Sequence, residues 1–136
     1  MTGFWSGYYS YDMTGETVLF TAWIAEEAGL FTGLVLEPNT LFYSDDEELE
    51  AEIAGERHGL DVIFDKSYLP DSGVLQPPVR YQGDIDPEFS TISGVWFFDD
   101  AGLPTGIFML TRTSGKLLRE SSAAGKRVRD RASDAG

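Results

Sequence analysis

The chain has 136 residues, 42% of them hydrophobic and 13% aromatic, which suits one domain with a real core and argues against disorder of the whole. It has no cysteine, which excludes a disulfide framework, thiolate metal sites and a cysteine nucleophile. The net charge of −13 is unevenly spread: up to Arg112 twenty acidic side chains outnumber four basic ones (Arg57, Lys66, Arg80, Arg112), while the rest of the chain is basic, so nucleic acid and anionic membrane surfaces are not expected as partners of this body.

Eight short segments of alternating character follow one another, separated by turn-forming residues. The first strand is predicted over Phe4 to Asp12, and Met13 to Glu16 make the turn. The second is Thr17 to Glu26, where Val18, Phe20, Ala22 and Ile24 alternate with Leu19, Thr21 and Trp23. Both faces of this strand are apolar, which predicts packing on both sides. Glu27 to Gly29 turn the chain into a third strand from Leu30 to Glu37, ended by Pro38 and Asn39. The stretch Leu49 to Ile53 has a helix-friendly composition, but its period is two: Leu49, Ala51 and Ile53 alternate with Glu48, Glu50 and Glu52. It reads as a fourth strand with an acidic outer face. The fifth runs Leu60 to Tyr68, with Val62, Phe64, Lys66 and Tyr68 on one side. A Pro-, Asp-, Ser- and Gly-rich loop from Leu69 to Pro78 separates it from the sixth, Val79 to Ile85. The seventh is Ser90 to Phe98, and the eighth Thr105 to Arg112, joined by a compact connection around Asp99 to Gly102.

Connections this short make sequential strands antiparallel neighbours. The expected fold is all-β: an eight-stranded antiparallel up-and-down β-barrel, whose closure removes both exposed edges. An open two-sheet sandwich is the alternative. The barrel domain is assigned to residues 1–112. Residues 113–136 form a small, polar, basic tail, with a short helix at Lys116 to Glu120 and disorder beyond it.

Strand parity puts Trp5, Gly7, Tyr9 and Tyr11 on one face of the first strand, and Phe64, Tyr81 and Trp96 on faces with other apolar or small residues. Aromatic walls suit flat or apolar ligands. A barrel of this size is also able to be packed solid, so a filled core and a usable pocket both stand at this point.

Gly3-Phe4-Trp5 has the Gly-x-Trp form of the calycin barrels, which include lipocalins and avidins. Gly15 to Ala22 resembles the second avidin strand, and Gly29 to Gly33 its third. Val62-Ile63-Phe64 with Lys66 and Tyr68 is similar to the Val-x-Trp segment with its downstream Tyr; Tyr81-Gln82-Gly83 looks like Trp-Ser-Gly, and Ile92 to Trp96 like the Ile-x-x-x-Trp of the seventh strand. The match covers about 110 residues in order. It implies a barrel that holds a ligand inside, with Phe64, Tyr81 and Trp96 at the family's aromatic positions; together with Tyr9 and Tyr11 from strand parity these are the expected ligand-binding residues. It also implies that Arg112 stacks over Trp5 to close one barrel end. The polar residues that hold biotin in avidins do not carry over: their positions fall on Gly7, Tyr11, near Val35, on Val79 and near Leu110. Tight biotin binding is therefore not expected. The family's tetramer contacts are not recognisable either, and a monomer or homodimer is expected.

Other chemistry is sparse. His58 is the only histidine, in what reads as an exposed turn, and a lone histidine makes no multi-histidine metal site. Asp45 to Glu48, and Asp84, Asp86 and Glu88, are carboxylate groups without the spacing of a calcium loop. No metal, cofactor or catalytic residue is assigned. The N-terminal residues lack a basic segment followed by an apolar run, and no uncharged apolar stretch approaches the roughly 20 residues of a membrane span; a cytoplasmic location is expected. The leading expectation is a binding module for a small apolar or aromatic molecule. The alternatives are a cofactor-free isomerase or cyclase, with Lys66, Tyr68, Tyr9 and Tyr11 the first residues to test, or a packed barrel acting as an interaction domain.

Overall fold

A computed structural model describes residues 1–38, 48–69, 74, 76–100 and 102–113. Eight strands follow in chain order: β1 (Gly3–Tyr11), β2 (Thr17–Glu27), β3 (Leu30–Pro38), β4 (Glu48–His58), β5 (Asp61–Tyr68), β6 (Val79–Ile85), β7 (Thr91–Phe97) and β8 (Gly106–Arg112). Each pairs antiparallel with the next. β8 returns to β1, with Trp5 opposite Arg112 and Tyr11 opposite Gly106. The sheet is thus a closed up-and-down barrel, and that last pairing rules out the open sandwich.

The alternation seen in the sequence is the in–out alternation of the wall. In β2, Val18, Phe20, Ala22 and Ile24 are buried while Leu19, Thr21 and Trp23 are exposed. The outer face of β2 does not acquire a second layer among the described residues. Leu19 stays 67% exposed, and Trp23 leans on Phe4 with ring centroids 4.7 Å apart. In β4, Leu49, Ala51 and Ile53 face in and Glu48, Glu50 and Glu52 face out, so the period of two overrides the helical composition. The strand also runs further than its sequence suggests. Glu56, Arg57 and His58 are still paired to β5, and the turn falls at Gly59, whose φ is +62°. The pairing partner decides this boundary, because Ile63, Val62 and Asp61 stand opposite those residues. The Lys116 to Glu120 helix, the rest of the tail and Asp45 to Glu47 lie outside the described residues.

The interior is built from rings in contact. Phe64 stacks on Tyr81 at 4.8 Å and 8°, and both meet Phe108 edge-on; Phe31 completes the group. Edge-to-face and offset pairs add about 0.5–1.5 kcal/mol each beyond area burial. One barrel end is sealed. Trp5 is 1% exposed and its indole N–H donates to the Met1 carbonyl at 2.9 Å. The Arg112 guanidinium stands 5.9 Å from the Trp5 ring centroid and donates to the Thr2 carbonyl. Beside it Glu26 binds Arg57 at 2.7 Å, and Arg57 lies 4.9 Å over the Phe89 ring. Burial alone would raise the Glu26 pKa, but Arg57 and the amino terminus hold it below the usual carboxylate value.

Candidate functional site

The other end of the barrel is hollow. A cavity of about 160 Å³ is lined by Tyr9, Tyr11, Lys66, Tyr68, Val79, Tyr81 and Trp96, with Gln76, Pro77, Phe98, Leu103 and Pro104 around it. The barrel is therefore both things the sequence allows: packed by rings towards Trp5 and open towards Tyr11.

Parity places the lining. Tyr9 and Tyr11 are two apart on β1, and Lys66 and Tyr68 two apart on β5, so each pair points the same way. Trp96 on β7 meets Tyr9 and Tyr11 edge-on, at 5.8 and 5.0 Å between centroids, and its indole N–H donates to the Ser10 carbonyl at 3.1 Å. Gly106, opposite Trp96, makes room for this. A Cβ there would collide with the Ser10 carbonyl and the Trp96 indole.

The floor is polar and charged. The Lys66 ammonium, 2% exposed, donates to Glu37 Oε1 at 2.8 Å. The phenols of Tyr9 and Tyr68 both donate to Glu37 Oε2, at 2.8 and 2.9 Å. One buried carboxylate thus accepts an ammonium and two hydroxyls, which satisfies the requirement that a buried charge be paired and hydrogen-bonded. The ammonium also lies over rings, 4.4 Å from the Tyr9 centroid, 5.1 Å from Tyr68 and 5.7 Å from Phe20. Burial on its own would lower the Lys66 pKa. Tyr81, Glu37 and Tyr68 outweigh it and hold the ammonium above the ordinary lysine range. Burial, with Glu37 beside them, raises the phenols of Tyr9 and Tyr68, and burial raises Tyr11 and Tyr81 too. The floor thus sets one Lys–Glu ion pair among phenols whose ionisation burial disfavours.

Four of the five residues assigned to ligand binding from the sequence, Tyr9, Tyr11, Tyr81 and Trp96, come together at this cavity. Phe64 does not line it. It lies beneath, stacked on Tyr81, because its ring continues the packed aromatic layer towards Phe31 and Phe108. Trp5 and Arg112 sit at the opposite end. The residue that sequence reasoning passed over is Glu37, taken only as the end of the third strand. Its signal was parity: Phe31, Val35 and Glu37 share the inward face of β3, so the acid continues a buried register. Of the positions named above for the polar residues of avidins, Gly7, Val35, Val79 and Leu110 offer the interior no side-chain polar atom, while Tyr11 brings its phenol to the cavity. This barrel draws its polarity from Glu37, Lys66 and the tyrosines instead.

Elsewhere, His58 is exposed with Nε2 3.0 Å from Glu56 Oε1. Asp86 accepts from the Ser90 and Thr91 amides at 2.6 and 2.9 Å and from the Ser90 hydroxyl, so it ties the β6–β7 turn. Among the described residues no group of three His, Cys, Asp or Glu side chains is arranged to hold a metal ion, and no helix is long and apolar enough to cross a membrane. No protein-family model matches the chain, and no curated protein matches its sequence.

Proposed function

We propose that this barrel is a binding module for a small apolar or aromatic molecule, held at the end lined by Tyr9, Tyr11, Tyr81 and Trp96. The observation that carries the reading is the cavity of about 160 Å³ with aromatic walls. A cavity of roughly 150 Å³ lined by apolar groups accepts benzene, so this one fits a single ring with a small substituent. The resemblance to avidin-like calycins supports the same use of the fold, with a different polar set and without tight biotin binding. The reading also fits an acidic exterior that keeps a monomer or homodimer in solution.

A cofactor-free enzyme is the second reading, favoured by the carboxylate, ammonium and phenols gathered at the floor. The direction in which the ammonium and the phenols are shifted argues for binding. Both Lys66 and the phenols move away from neutrality, which makes them poor at exchanging protons near pH 7. A thermal-shift screen of the pure protein against single-ring compounds and biotin, with tryptophan fluorescence as second readout, tests the proposal. A ligand specific to the folded state raises the melting temperature. Single-ring hits that quench tryptophan support the pocket; biotin binding at micromolar strength, or no hit among single-ring compounds, overturns the reading.

A further inference from the structure

The cavity floor carries a hydrogen-bond donor for which the described residues supply fewer acceptors than it has N–H groups. An ammonium has three N–H groups. Glu37 Oε1 accepts one from Lys66, and the Tyr81 ring stands 5.6 Å from the ammonium. The remaining near neighbours of Lys66 among the described residues are ring faces: Tyr9, Phe20 and Tyr68. Tyr9 and Tyr68 have committed their hydroxyl hydrogens to Glu37. Lys66 thus keeps donor capacity for a guest and lines the cavity, as do the Tyr11 and Tyr81 hydroxyls; of these donors the ammonium is the charged and therefore the stronger one.

Charge decides what kind of acceptor the guest brings. Lys66 and Glu37 neutralise one another at 2.8 Å. A carboxylate entering the cavity would add an uncompensated negative charge to a low-dielectric site, inside a body with twenty acidic and four basic side chains up to Arg112. A neutral carbonyl oxygen takes the same N–H without that cost. The amine, held protonated, has no lone pair with which to attack the carbonyl, so the contact is reversible and no Schiff base forms.

We propose that the guest of this barrel is a single-ring molecule bearing a neutral carbonyl (ketone, aldehyde or amide), its oxygen accepting from Lys66 Nζ and its ring packed among Tyr9, Tyr11 and Trp96. The proposal rests on the binding-module reading above. It is tested on the full chain with three probes of similar size: acetophenone, benzoate and ethylbenzene. Affinities come from tryptophan fluorescence titration, and the carbonyl carbon shift of labelled acetophenone reports its hydrogen bond. Acetophenone is expected to bind about tenfold or more tighter than ethylbenzene, because its oxygen meets a charged donor, and benzoate is expected to bind weakest. The labelled carbonyl moves downfield on binding. Ethylbenzene equal to or tighter than acetophenone overturns the proposal while leaving the apolar pocket standing. Benzoate tightest overturns it by making the guest an anion. Failure of all three to bind overturns the pocket reading itself. In the Lys66→Met, Glu37→Gln double variant, acetophenone should lose its advantage over ethylbenzene to within about twofold; a retained preference also overturns the proposal, and the wild-type series decides if that variant does not fold.

Discussion

Lys66 and Glu37 show how a side chain that looks misplaced in the sequence is accommodated. Lys66 follows Val62 and Phe64 on the inward parity of β5 and therefore has to bury its ammonium. It does so only because Glu37 arrives from β3 with Tyr9 and Tyr68 filling the carboxylate's other oxygen. Removing one member strands the other. Lys66→Met is expected to cost about 3–5 kcal/mol, since it leaves a buried carboxylate without its cation. Adding Glu37→Gln should recover most of that loss, because the amide oxygen still accepts from the tyrosines and no charge remains. Urea denaturation of wild type, single and double variants measures both, and a double variant no more stable than the single one would contradict this account.

At the scale of elements, two local geometries carry consequences. The β2–β3 turn has Ala28 at φ +56° and Gly29 at +84°, the pair of positive values that a two-residue type I′ hairpin needs. Gly29 adopts this conformation freely, while Ala28 holds its Cβ in a left-handed conformation at a cost of about 1–2 kcal/mol. Ala28→Asn should raise stability by about 0.5–1 kcal/mol and Ala28→Val should lower it by about 1 kcal/mol, read from the denaturation midpoint. The β7–β8 pairing supplies the second. Gly106→Ala would force Trp96 away from the Ser10 carbonyl, with an expected loss of about 1–3 kcal/mol and red-shifted tryptophan emission. Unchanged emission with unchanged stability would mean that Trp96 is not held as described.

Across the whole molecule, the barrel keeps phenols neutral that water would ionise. Tyr9, Tyr68 and Tyr81 sit above the ordinary tyrosine value of 10.0, chiefly through burial. Groups raised in the folded state contribute stability that is complete below the unfolded value and is lost as pH rises past it. Stability should therefore decline above about pH 10, and phenolate absorbance of the buried tyrosines should appear in one cooperative step with the loss of the folded circular dichroism. Gradual ionisation of all tyrosines while the fold persists would count against a closed, dry floor. Lys66 adds to this loss, because it too is raised above its unfolded value of 10.5, and the unfolded chain sheds that proton first.

The sequence by itself determined the wall. Alternation with a period of two, turns between segments and short connections make the eight strands sequential antiparallel neighbours, and even the Glu-rich β4 obeys this because Leu49, Ala51 and Ile53 need the inside; closure rather than an open sandwich was decided by the pairing of β8 with β1. Parity also named most of the cavity lining, since residues two apart on a strand share a face. The tertiary structure alone decided which inward residues meet. Glu37 and Lys66 are 29 residues apart, and their ion pair depends on strand tilt and closure, which no local pattern encodes. The same holds for Phe64. Its parity is that of a lining residue, yet its depth along the barrel axis puts it in the packed layer, because depth is set by the register of β4, β5 and β6 together.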